Sequence, residues 1–171
     1  MKIAKTWWIY LLWLLIVFLF FSFQSIMDAT SQDIWVKPVP VDPRDIFRGE
    51  YVRLQYDFST FDTKAFDPSA PFPEKNRIIY AVMKEAGDIY QLDYFTTKRP
   101  SSDRIFLRGF IAGRHYEGFQ YQGVFINFNL ESYFVPEGKG PELEKNIGDR
   151  LKVKIRVNRF GWARIIDIST Q

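Results

Sequence analysis

The sequence predicts a mainly β protein: an N-terminal transmembrane helix followed by an antiparallel β domain, barrel or sandwich, with one short helix. Three observations lead there. Every residue from Trp7 to Phe21 is apolar or aromatic. Several later segments alternate polar and apolar residues with the period-2 pattern of half-buried strands. No strand–helix–strand alternation occurs, which argues against a parallel sheet. The expected layout is cytoplasmic lysines and anchor over 1–27, a polar juncture over 28–33 and an extracytoplasmic β domain over 34–171.

The N-terminal run, continued by Ser22 and Phe23, reaches the lower limit of about 17 apolar residues for a membrane span. A cleaved signal peptide would need small residues at a cut site, and no small-x-small pair follows this bulky run, so an uncleaved anchor is expected. Membrane lipid is therefore the expected partner of residues 7–23. Lys2 and Lys5 precede the run and no further lysine appears until Lys37, which puts the N-terminus in the cytoplasm and the C-terminal domain outside, on the periplasmic side.

Composition narrows the function classes. The chain has 171 residues and 18% aromatics, which is enough for one folded core beside an anchor. Its net charge is +3, two units of which are Lys2 and Lys5, and no basic cluster interleaves with aromatics as a nucleic-acid groove would require. There is no cysteine and one histidine, His115. Disulfides, thiolate chemistry and iron–sulfur clusters are excluded, as is a His-rich metal site. No cofactor is expected.

The element order follows from local signals. Ile34 to Val41 contains Pro38 and Pro40, which restricts it to an edge strand or extended segment, with Trp35 expected in the core. Tyr51 to Phe58 alternates and reads as a strand, with Leu54, Tyr56 and Phe58 on one face. Ser59 to Asn76 carries Pro68, Pro71 and Pro73 and reads as a long loop. Arg77–Lys84 and Ile89–Thr97 read as a hairpin about a Glu85–Asp88 turn. Arg104–Ala112 is a strand burying Ile105, Leu107 and Phe110, and Gly113–Gly118, which holds His115, reads as a turn. The aromatic stretch Phe119–Val135 reads as two elements or one bent strand. Pro141–Asn146 has the local signals of a short helix. Leu151–Val157 and Trp162–Ile168 form a closing hairpin about Asn158–Gly161.

The densest polar motif is Asp42, Arg44, Asp45, Arg48, Gly49 and Glu50, just ahead of Tyr51. Its three acids and two guanidinium groups suit a turn network in which carboxylates cap amides and pair with the arginines. A partner-binding surface is the alternative. Oxygen ligation of calcium by Asp42, Asp45 and Glu50 is opposed by the two arginines. Gly49 fits a left-handed or bulged backbone.

Arg48-Gly49-Glu50-Tyr51-Val52-Arg53-Leu54-Gln55-Tyr56 resembles the signature of the GDYXXLXY family of membrane-anchored bacterial proteins, with Glu50 where the family has Asp. Tyr133, Pro136, Glu137 and Gly138 resemble its second landmark. The resemblance implies an extracytoplasmic domain behind one helix, associated with a polytopic membrane protein, and no established activity. The expected function is thus a non-enzymatic accessory or binding domain. An envelope ligand held in a barrel mouth by Tyr51, Tyr56 and the proline loop is a second reading. A third comes from the layout of type I signal peptidases, with Ser25 as nucleophile and Lys64, Lys75 or Lys84 as base. Against it, Asp28 stands where proline is expected, and no Gly-Asp-Asn-Arg-Ser box follows.

Overall fold

A computed structural model describes residues 3–39, 47–48, 51–71, 73, 77–117, 120–134 and 151–170. The chain divides into two compact units, Met1–Ser31 and Gln32–Gln171.

The first unit is the helix α1, Ile3–Ala29. Its stretch Trp7–Ala29 spans 23 residues, none of them buried within the protein over its most apolar window. At about 1.5 Å per residue that is about 35 Å, enough to cross a hydrocarbon core of about 30 Å. The last carbonyls of a helix lack intrahelical partners. Here the Thr30 hydroxyl donates to Ile26 O at 2.9 Å and the Ser31 hydroxyl to Met27 O at 2.7 Å, which closes the helix abruptly.

The second unit is antiparallel in all its named strand pairs. A three-stranded sheet joins β1 (Gln32–Val36) to β12 (Leu151–Val157), and β12 to β13 (Ala163–Thr170). β12 alternates strictly: Leu151, Val153, Ile155 and Val157 point into the core, while Lys152, Lys154 and Arg156 face outward. A five-stranded sheet runs in the order β6 (Thr60–Phe61), β10 (Gln120–Asn127), β9 (Phe106–Glu117), β7 (Ile78–Ala86), β8 (Ile89–Thr96). β8 passes beside β1, so the two sheets share one core. Two small ribbons complete the unit. One pairs β2 (Pro38–Val39) with β5 (Gln55–Tyr56), and the other has the order β11 (Ser132–Phe134), β4 (Tyr51–Arg53), β3 (Phe47–Arg48).

The proline-bearing segment behaves as its missing amide requires: the ladder through Pro38 lasts only two residues, and the proline-free strand before it, β1, lies at a sheet edge. The closing hairpin lies where alternation placed it, and so does the one about the Gly87–Asp88 turn, although β7 carries Glu85 and Ala86 into the ladder.

Three expectations need correction. Gly113–Gly118 is not a turn up to Glu117: β9 continues there, pairing His115 with Gly123 and Glu117 with Gln120. Two register shifts and a positive φ of 144° at Gly113 absorb the irregularity, so glycine marks bulges rather than a reversal. Ser59–Asn76 is not a featureless loop either. It holds β6, at the edge of the large sheet, and a short 3-10 turn at Thr63–Ala65, whose Lys64 amide is capped by Asp62 at 2.8 Å. Third, Trp35 is only half buried, and the Lys154 ammonium lies 5.9 Å over its ring on the outward face. In β9, Leu107 is buried as expected and Phe110 only partly, Phe106 and Ile111 are buried too, and Ile105, just before the strand, is half-buried. The expected helix at 141–146 lies outside the described residues.

Close packing fixes one glycine for steric reasons. A Cβ at Gly109 in β9 would stand 2.5 Å from Ile126 Cγ2 and 2.7 Å from Phe128 Cε1, closer than any relaxed contact.

Candidate functional site

The signature segment divides into two parts with different work. Its second half is core. Leu54, Tyr56 and Phe58 are buried as expected, but Tyr51–Phe58 is not one strand: β4 ends at Arg53, β5 covers only Gln55–Tyr56, and the 3-10 turn Asp57–Ser59 buries Phe58 and Ser59. The Tyr56 and Phe58 rings stack at 4.8 Å and 8°, and Phe128 meets Phe58 edge-on at 5.4 Å. These are the offset and T-shaped geometries that aromatic quadrupoles favour.

The polar atoms of this half are also committed. The Tyr56 hydroxyl donates to Leu130 O at 3.2 Å, and the Tyr56 amide donates to Ser59 Oγ at 3.1 Å. Burial, and then the nearby Glu131 charge, push the phenol far above its ordinary pKa. Tyr56 is therefore a neutral donor sealed in the core and does not line a ligand pocket. Asp57, beside it, is raised by burial, against the opposing hydrogen bond from the Phe58 amide at 2.8 Å.

The first half of the signature is a hairpin. β3 and β4 pair Arg48 with Tyr51 and Phe47 with Val52, and β11 adds Tyr133 opposite Val52. The two motifs that the sequence placed far apart, around Tyr51 and around Tyr133, are thus adjacent strands of one ribbon. Gly49 and Glu50 connect the paired residues and lie outside the described residues, as do Asp42, Arg44, Asp45, Pro136, Glu137 and Gly138.

The connection between β10 and β11 fastens the ribbon to the core, and sequence reasoning missed it. The Leu54 amide donates to Glu131 O at 2.9 Å. The Glu131 carboxylate accepts from the Phe128 amide at 2.7 Å, and Asn127 Oδ1 accepts from the Asn129 amide at 2.8 Å. Asn129 takes the left-handed conformation, with φ 59°. The signal was present: Asn-Phe-Asn in the aromatic run is the composition of an Asx turn. Next to this turn is an open pocket of about 520 Å³, lined by Ala112, Phe125, Asn127, Asn129, Glu131 and Ser132 among others.

Among the described residues no group of three or more His, Asp or Glu side chains could hold a metal. Lys64 is exposed, and the Lys84 ammonium lies 3.5 Å from the Asp93 carboxylate. Ser25 is in α1 and Lys75 lies outside the described residues.

A protein-family model described as GDYXXLXY protein matches residues 13–168. No curated protein and no solved structure matches the chain.

Proposed function

The chain belongs to the GDYXXLXY family, and from that premise we propose that it is a membrane-anchored accessory domain, retained beside a polytopic membrane protein. In this reading α1 spans the membrane with its lysines in the cytoplasm, and the β domain works on the outer side. The observation that carries it is the division of labour in the signature. Leu54 and Tyr56 are spent on the core, whereas Arg48 and Tyr51 belong to a hairpin ribbon that begins beside the charged residues 42–50. Buried positions hold the ribbon in place, and the charged residues 42–50 that neighbour it in the sequence are the ones assigned to recognition. A hairpin ribbon next in sequence to a charged motif suits recognition of an extramembrane loop of a partner, in which charge complementarity sets specificity.

The test is a mild-detergent purification of the full-length chain, with mass spectrometry of what is retained. A stoichiometric polytopic protein that is lost on Arg48→Ala, with folding intact, supports the reading. Recovery of the chain alone overturns it and turns attention to small ligands for the open pocket.

A further inference from the structure

The turn between β12 and β13 collects arginines that lack acidic partners. Among the described residues Lys84, Arg104, Lys152, Lys154 and Arg156 each lie within ion-pairing distance of a carboxylate. Arg99, Arg108 and Arg159 do not; they lie on aromatic rings instead. The guanidinium groups of Arg99 and Arg159 stand 5.2 and 5.1 Å from the Phe160 ring centroid, and that of Arg108 stands 4.7 Å from Trp162.

The tip is rigid. Asn158 Oδ1 accepts from the Phe160 amide at 2.9 Å and from the Trp162 amide at 3.1 Å, and the Arg108 amide donates to Gly161 O at 2.8 Å. Yet Trp162 remains 40% exposed. Arg99 and Arg159 are exposed too.

The tip lies at the end of the β domain where the chain first enters it. Ala29 and Gln32 are three links apart, and Gln32 is the register partner of Val157, two residues before Arg159. At about 5 Å across the ladder and about 3.6 Å per residue along it, Arg159 lies within about 12 Å of Gln32, the residue where the chain enters the domain. An exposed tryptophan among arginines at that end has the composition of a headgroup-layer anchor.

We propose that the Arg99–Arg159–Trp162 tip is a second membrane contact, binding the phosphate groups of anionic lipid headgroups in the leaflet where α1 ends. The inference rests on the anchor reading of α1. It holds the domain against the bilayer in a fixed orientation, where a single helix alone would let it swivel.

The chain has no cysteine, so single-cysteine labelling of the full-length protein is clean. A fluorophore at Ser102→Cys, three residues from Arg99, reports the tip. One at Glu85→Cys reports the other end of the domain, where Lys152 pairs with Asp88. The protein is reconstituted in phosphatidylcholine vesicles with and without phosphatidylglycerol, with a headgroup nitroxide as quencher. Quenching should be strong at position 102, weak at 85, and deeper at 102 with phosphatidylglycerol. Arg99→Gln and Arg159→Gln should each cost about fivefold in surface affinity, and the matching lysine variants should largely restore it. Equal quenching at both positions, or indifference to the glutamine variants, overturns the proposal. If inorganic phosphate competes as well as phosphatidylglycerol attracts, the tip is a site for a soluble anion and the lipid assignment fails. Release of the chain from vesicles by alkaline carbonate would sink the anchor reading itself, which is a separate result.

Discussion

Arg156 grips Asp33 with both arms of its guanidinium group. Nε donates to one carboxylate oxygen at 2.6 Å and a terminal nitrogen to the other at 3.0 Å, joining the first strand of the domain to its last hairpin. Lys154 adds a third cationic contact at 3.3 Å. The Arg156 hydrogen bonds, with Lys154 assisting, hold the Asp33 pKa down at about 2.

A depressed carboxylate pKa contributes stability above the unfolded-state pKa, and that contribution disappears as pH falls through the folded-state value. The Asp33 contribution should therefore be complete at pH 7 and vanish between about pH 4 and pH 2. The pair is partly solvated, so its worth is about 1 kcal/mol or less. Asp33→Asn should lower the unfolding free energy at pH 7, read from urea titration, by that amount and match the parent at pH 2. A constant difference across this range would contradict the assignment.

Tyr56→Phe should cost about 1 kcal/mol, because it deletes the donor to Leu130 O and keeps the ring stack. The parent should also lose stability above about pH 10, since the phenol is held neutral in the fold and ionises more easily once unfolded. The phenylalanine variant should lack this part of the alkaline loss, as read from unfolding curves between pH 8 and 11. Retention of the proposed membrane partner should not change, since the hydroxyl faces the core.

Gly109→Ala should be among the most damaging single methyl additions, about 2 kcal/mol or more, since Ile126 and Phe128 would have to move. Gly87→Ala is the control. It sits at φ 70° in an open turn with nothing within 4 Å, so only backbone strain of about 1 kcal/mol is expected. Thermal unfolding of both variants checks the order.

Glu131→Ala should destabilise by about 1–2 kcal/mol by leaving the Phe128 amide without its acceptor. Glu131→Gln keeps an oxygen in place and should recover most of the loss. Hydrogen exchange at Phe128 is the direct readout. Fast exchange in the alanine variant and protection in the glutamine variant is the expected outcome.

Much of the fold is legible in the sequence because strand patterning here is strong. Leu151–Val157 alternates without exception, and the same rule places Leu54, Tyr56 and Phe58 inside. The errors come where glycine and proline serve more than one purpose. Gly113 looks like a reversal and is a bulge, and the prolines after Ser59 hide an edge strand of two residues. The candidate site was half legible. Tyr51 and Tyr133 could be named singly, but their adjacency depends on strand pairing between distant segments, which no local pattern encodes. Glu131 was overlooked because a capping carboxylate in a turn looks like any surface acid.

The pairing of β1 with β12 also orders events in time. The residue that grips Asp33 is made 123 positions after it. At about 5–20 residues per second, β1 waits for about 6–25 s of synthesis before its ladder partner exists. Meanwhile α1 is already made, and the first strand of the domain follows it in the chain with an open edge. A chain that stops before Leu151 would keep its anchor and the middle strands but never cover β1. The hairpin of β12 and β13 is therefore the clasp of the domain, and a nonsense change just before it should be as harmful as one in the middle.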